Sequence, residues 1–172
     1  STSSTLAASA AQTTDVDTVQ VYIVAESMCP NCKEHSSLFD EHIMSMGQDM
    51  RDILDIKLDM MLIDGWDSVS QTGICEKGKW DCKLGQYQMA SQKATVTSKN
   101  QWWDFNRCLF KNQPALIEYY VPAKDQNASY MDSVVESCAS DASLDAAEIF
   151  SIVEKEGEKL LYDAYARDKE FD

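Results

Sequence analysis

Two cysteines separated by two residues, Cys29-Pro30-Asn31-Cys32, stand between a β-branched run and an amphipathic stretch. This junction constrains the chain more than any other feature. The run Val19-Gln20-Val21-Tyr22-Ile23-Val24-Ala25 predicts a buried strand. Beyond the pair, Leu38, Phe39, His42, Ile43 and Met46 recur at helical spacing, and Gly47 marks the stop. Pro30 fits the first helical turn, where an N–H would have no intrahelical partner. A second strand is predicted over Ile56 to Ile63, ended by Asp64-Gly65. There Ile56, Leu58, Met60 and Leu62 share one face, and Lys57 and Asp59 the other. Strand, helix and strand make a βαβ unit, which crosses over right-handed into a parallel pair.

Two thiols one turn apart at a helix start can close a small disulfide and reopen it. Free N–H groups and the positive end of the helix dipole favour a thiolate on the first cysteine. Cys29 would attack a substrate disulfide, and Cys32 would then attack Cys29 and release the reduced substrate. Two plainer readings compete with this one, an inert structural bridge and half of a zinc site. Zinc sites combine two close pairs, whereas Cys75 and Cys82 are separated by six residues, so redox chemistry is favoured and neither metal nor cofactor is expected. The other four cysteines, Cys75, Cys82, Cys108 and Cys138, allow three pairings that spacing alone does not decide. Gly78 permits a tight turn between Cys75 and Cys82, and Cys108 and Cys138 would then staple two short helices.

The 172 residues carry 29 acidic against 15 basic side chains, a net charge of −14, and 44% are apolar. That is enough to bury a core, and it leaves no basic excess for a nucleic acid. No apolar run is long enough to span a membrane. Residues 1–18 are mostly Ser, Thr and Ala, which predicts a flexible polar tail without the charge and apolar pattern of a signal peptide. Residues 66–140 hold four tryptophans and no clean strand, with short helices expected at Gln101–Phe110 and Tyr130–Ala139. Leu144, Ile149, Ile152, Val153, Leu160, Leu161 and Ala164 form one stripe of a final helix, capped by Ser143 or Asp145. The even cysteine count and the glycosylation triplet at Asn127-Ala128-Ser129 both suit a secreted or endolysosomal protein.

These elements together resemble the gamma-interferon-inducible lysosomal thiol reductase family, a thioredoxin-like group. The resemblance runs from about Val19 to Ala166 and rests on the strand, the CxxC, the second strand and Cys75-Glu-Lys-Gly-Lys-Trp-Asp-Cys82. That last piece is similar to the family's C-x-x-G-x-x-x-C signature, with Lys77 where histidine is common. The resemblance implies a soluble reductase of protein disulfides working at acidic pH, with Cys29 as nucleophile and Cys32 as resolving thiol. It implies a thioredoxin-like α/β core with 66–140 as a helical, cysteine-bearing insert in a single domain over 19–172. Ala90 and the region of Ser151 and Ile152 stand where many members have further cysteines. The family also continues into a proline-bearing strand against the CxxC. Pro114 and Pro122 do not look like that proline, so the C-terminal strands are expected to be missing or the sheet smaller.

Further candidates are secondary. His35 could tune the thiols, His42 is expected to be partly buried, and Met28 could shield a thiol or touch substrate. Trp102 and Trp103 are expected to anchor the core, one ring in and one at the rim. No carboxylate pair stands out for acid–base work. Two rivals to a reductase of disulfide-containing proteins use the same residues: a non-catalytic secreted module or complex subunit with a permanent Cys29–Cys32 bridge, and an isomerase or oxidant of different potential. Oligomeric state is not legible.

Overall fold

The computed structural model describes residues 18–63, 65–123 and 125–170, so the expected tail lies almost wholly outside the described residues. The chain begins with strand β1, Val19–Ala25, followed by helix α1, Pro30–His42, a single 3-10 turn at Met44–Met46 and helix α2, Gln48–Ile53. Strand β2, Leu54–Met60, then pairs parallel to β1 in register from Val19 opposite Leu54 to Ala25 opposite Met60. Strands β3, Trp66–Asp67, and β4, Thr72–Gly73, form a separate antiparallel ladder. Four helices follow among the described residues: α3, Lys79–Ser91; α4, Trp102–Tyr120; α5, Ser129–Asp141; and α6, Ala146–Asp168. Among the described residues the fold is therefore mixed α/β, with six helices and two small sheets.

Strand β2 is buried on the face its sequence pattern indicates, through Leu54, Ile56, Leu58 and Met60. Its Asp59, on the other face, is buried as well. It accepts Arg167 Nε and Nη2 at 2.6 and 2.8 Å and the Tyr22 hydroxyl at 2.9 Å, which ties the end of α6 back to the sheet. Side-chain amides also satisfy β2 backbone groups. Gln92 exchanges two hydrogen bonds with Leu58, and Asn100 donates to Leu54 O at 2.9 Å. Strand β1 is less buried than its composition predicts, because β2 is its sole sheet neighbour among the described residues.

The helical half departs further from the sequence pattern. Helix α3 has no amphipathic stripe to read because ten of its thirteen residues are buried, including Gln86, Gln88 and Ser91. At Gly85 it approaches β2 so closely that a Cβ would stand 2.8 Å from the Met60 side chain. Helix α4 runs on past Phe110 and through Pro114 to Tyr120, held by an apolar face that includes Leu109, Phe110 and Leu116. Trp102 and Trp103 are both buried, so neither ring sits at a rim. In α1 the expected stripe is broken: Leu38 and His42 face solvent, as does Met46 beyond the helix end. The Asp145 side chain caps α6 by accepting Ala147 N at 2.9 Å.

Candidate active site

Strand β1 ends at Ala25, and a tight turn, closed by Cys29 N on Glu26 O at 3.4 Å, feeds the chain into α1. Cys29 is the N-cap of that helix with extended backbone, and its carbonyl accepts Lys33 N at 3.1 Å. Its side chain makes no capping hydrogen bond. Cys32 lies one turn further on. Both cysteines are reduced and half-buried. Burial, followed by a hydrogen bond between the two thiols, pushes Cys32 up to about 11. It is held as a thiol against its neighbour.

Two helices distant in sequence fix the turn. From α3, Asp81 Oδ1 accepts Met28 N at 2.9 Å, and Gln88 Oε1 accepts the Ser27 hydroxyl at 2.6 Å. From α4, Gln113 Nε2 donates to Ser27 O at 2.8 Å and to Cys29 O at 3.0 Å. All of these groups except Cys29 are buried. Met28 is fully buried, which removes the expected contact with substrate and leaves packing. The turn is thus preorganised by polar groups whose loss would leave buried carbonyls and amides unpaired.

Cys75 and Cys82 are joined to each other, closing the loop that leads into α3. Gly78, at φ +85, supplies a backbone conformation that a side chain would resist. The closed loop carries charge to the cysteines. Lys77 Nζ stands 3.1 Å from both Glu26 Oε2 and Glu76 Oε2. Burial, and then a carboxyl–carboxyl hydrogen bond to Glu76, raise Glu26 above the usual carboxylate range, with Lys77 opposing. Burial likewise raises Asp81, against the amides of Met28 and Lys77 that favour its charge. A second bridge, Cys108–Cys138, ties α4 to α5 away from this loop.

Two grooves flank the pair. One of about 360 Å³ runs between β1 and α1 and is lined by Ile23, Ala25, Cys32, His35 and Phe39. The other, about 540 Å³, opens between α1 and α4 beside Pro30, Lys33, Gln113 and Pro114. His35 therefore shares a groove with Cys32, whereas His42 is exposed and not half-buried as expected. Asn127 is exposed at the start of α5, where its Oδ1 accepts Ser129 N at 3.0 Å. Among the described residues no group of three or more His, Cys, Asp or Glu side chains could hold a metal ion, and no helix is long and apolar enough to cross a membrane.

The family model described as gamma interferon inducible lysosomal thiol reductase (GILT) matches residues 19–142. This chain belongs to the GILT family. No curated protein and no solved structure matches it significantly. The GILT match begins at β1, spans all six cysteines and ends just after α5. Membership implies thiol reductase function in general terms. Sequence reasoning missed Glu26, Asp81, Gln88 and Gln113. Only Asp81 carried a signal, as the penultimate residue of the C-x-x-G-x-x-x-C stretch. The other three acquire meaning by converging on the turn.

Proposed function

We propose that this GILT chain reduces disulfides in protein substrates through Cys29 and Cys32. The observation that carries the reading is a reduced pair one turn apart at the start of α1, half-accessible, with grooves on either side. Cys29, at the N-cap, attacks a substrate sulfur. The substrate disulfide breaks, a mixed disulfide forms and the first substrate thiol leaves. Cys32 then attacks Cys29, the internal disulfide forms and the second substrate thiol leaves. A low-molecular-weight thiol restores the dithiol, and no metal or bound cofactor takes part.

The scaffold for this chemistry is a thioredoxin-like strand–CxxC–helix–strand unit, supported by the parallel pairing of β1 with β2 around α1. An acidic endolysosomal or secreted setting suits the two bridges formed by the other four cysteines, and exposed Asn127 suits a glycan there. His35 is the side chain best placed to tune Cys32 from the groove they share.

A Cys32→Ser variant tests the reading. Reduced and mixed with a disulfide-bearing protein, it is expected to accumulate a covalent adduct that Cys29→Ser abolishes. No adduct at any pH from acidic to neutral would mean that Cys29 and Cys32 form only a structural pair.

A further inference from the structure

A chain held in a mixed disulfide with Cys29 has to lie on the surface beside it, so the walls of that surface decide which sequences are accepted. The groove between α1 and α4 begins at Pro30, the residue after Cys29. Its walls there are apolar, with Pro30 and Pro114 exposed and Ile117 half-buried. Further along α1, Lys33 and Ser37 are shared with a second hollow of about 190 Å³, whose α4 side carries Arg107 and Lys111. Together the two hollows follow α1 from Pro30 to Asp40, about 15 Å of helix. An extended peptide spans that length with about four or five residues.

Charge along this track is opposite to that of the molecule. The chain carries −14 overall, yet the second hollow sets three cations, Lys33, Arg107 and Lys111, against one acid, Asp40. Asp40 is already engaged: it accepts Trp103 Nε1 at 2.9 Å and Arg107 Nη1 at 3.4 Å. Arg107 also reaches Asp104 at 3.0 Å. Lys33 and Lys111 have no acidic partner among the described residues. Glu34, exposed at the first groove, is the other charged side chain on the track. A solvated lysine needs no ligand for the sake of the fold. These two are set apart by sharing a hollow that continues the groove beside Cys29.

We propose that this track is the docking path of the substrate chain, and that Lys33 and Lys111 select substrates with acidic side chains about two to five residues from the attacked cysteine. The proposal rests on Cys29 and Cys32 being the working pair. Apolar residues next to that cysteine pack on Pro30, Pro114 and Ile117, and a carboxylate beyond them meets the two lysines. The attraction is local, because the acidic remainder of the surface repels the same carboxylate. Substrate Asp and Glu keep their charge down to about pH 4, so the selection survives in an acidic compartment.

The test uses short peptides that each carry one cysteine joined by a disulfide to a coloured aryl thiol. Cys29 attacks the peptide sulfur, the peptide–Cys29 bond forms, and the aryl thiolate leaves with the electron pair of the broken bond. Its colour gives the rate. Two peptides differ only at the flanking positions, which are Glu in one and Lys in the other. Each rate is divided by that of a small neutral thiol on the same peptide, which removes intrinsic reactivity. The Glu peptide is expected to react about 5-fold faster than the Lys peptide at low salt, with the ratio shrinking as salt is added. Net charge alone favours the Lys peptide, so the two explanations differ in sign. Lys33→Glu and Lys111→Glu are each expected to lower the ratio and together to reverse it. Lys155→Glu, the same change of charge on an exposed position of α6, leaves it as it was. Because ratios are compared, a change in thiol reactivity common to both peptides cancels. Lys111 is exposed on α4, so its variant tests the proposal even where Lys33→Glu disturbs α1. A wild-type preference for the Lys peptide, a ratio unmoved by Lys111→Glu, or one moved as far by Lys155→Glu would overturn the proposal. Aryl release that is absent, or that persists in Cys29→Ser, would instead remove the reading of Cys29 on which it rests.

Discussion

At the scale of single residues, the candidate site depends on buried polar side chains more than on the cysteines' immediate neighbours. Gln113 shows this clearly. Its one amide group satisfies the carbonyls of Ser27 and Cys29, on either side of fully buried Met28. Replacing it with Ala leaves the Ser27 carbonyl buried and unpaired, at a cost of about 2 kcal/mol. A lowered urea midpoint with unchanged slope is the expected outcome. An unchanged midpoint would mean that Asp81 and Gln88 hold the turn without help from α4.

At the scale of elements, the two bridges differ in what they constrain. Cys108 and Cys138 are 30 residues apart in sequence and join α4 to α5, whereas Cys75 and Cys82 are 7 apart and close one loop. Loop-closure entropy then assigns about 3–4 kcal/mol to the first and about 2 kcal/mol to the second. Paired Ala substitutions should therefore lower the thermal midpoint more at Cys108 and Cys138 than at Cys75 and Cys82. The reverse order would show that the small loop supports α3 far beyond its own closure. The link that would carry such support is Asp81, which joins the loop to the Met28 turn. Thiol reactivity should respond in the opposite order, because the small loop contains Asp81, which holds the Met28 turn next to Cys29.

For the whole molecule, net charge and buried acids act in the same direction. The chain carries −14 overall, and both Glu26 and Asp81 are raised above ordinary carboxylates by burial. An acid whose folded pKa is raised binds more protons folded than unfolded, so stability falls as pH rises through that window. Above the raised values the full cost of burying charge is present; below the ordinary carboxylate range of about 4 it is gone. Protonation of surface carboxylates also relieves self-repulsion as pH falls. The thermal midpoint is therefore expected to be higher in mildly acidic than in mildly alkaline buffer. Asp81→Asn should flatten the dependence, and a midpoint that rose steadily with pH would contradict this account.

What the sequence determined by itself was local. The β-branched run, the proline inside the cysteine pair and the alternation from Ile56 to Leu62 specify a strand, a helix start and a second strand, because each signal is read within a few residues. The family resemblance was legible for the same reason, since its motifs are short and ordered along the chain. Helix α3 was hidden, because a helix buried on every side has no polar face to give it a period. Helix α4 was read too short, because Pro114 breaks a helix in isolation and is tolerated only when packing outweighs the lost hydrogen bond. The polar half of the site was hidden for a related reason. Glu26, Lys77, Gln88 and Gln113 are ordinary surface types in sequence, and only tertiary folding brings Gln88 and Gln113 onto Ser27 and Lys77 onto Glu26, all at one turn.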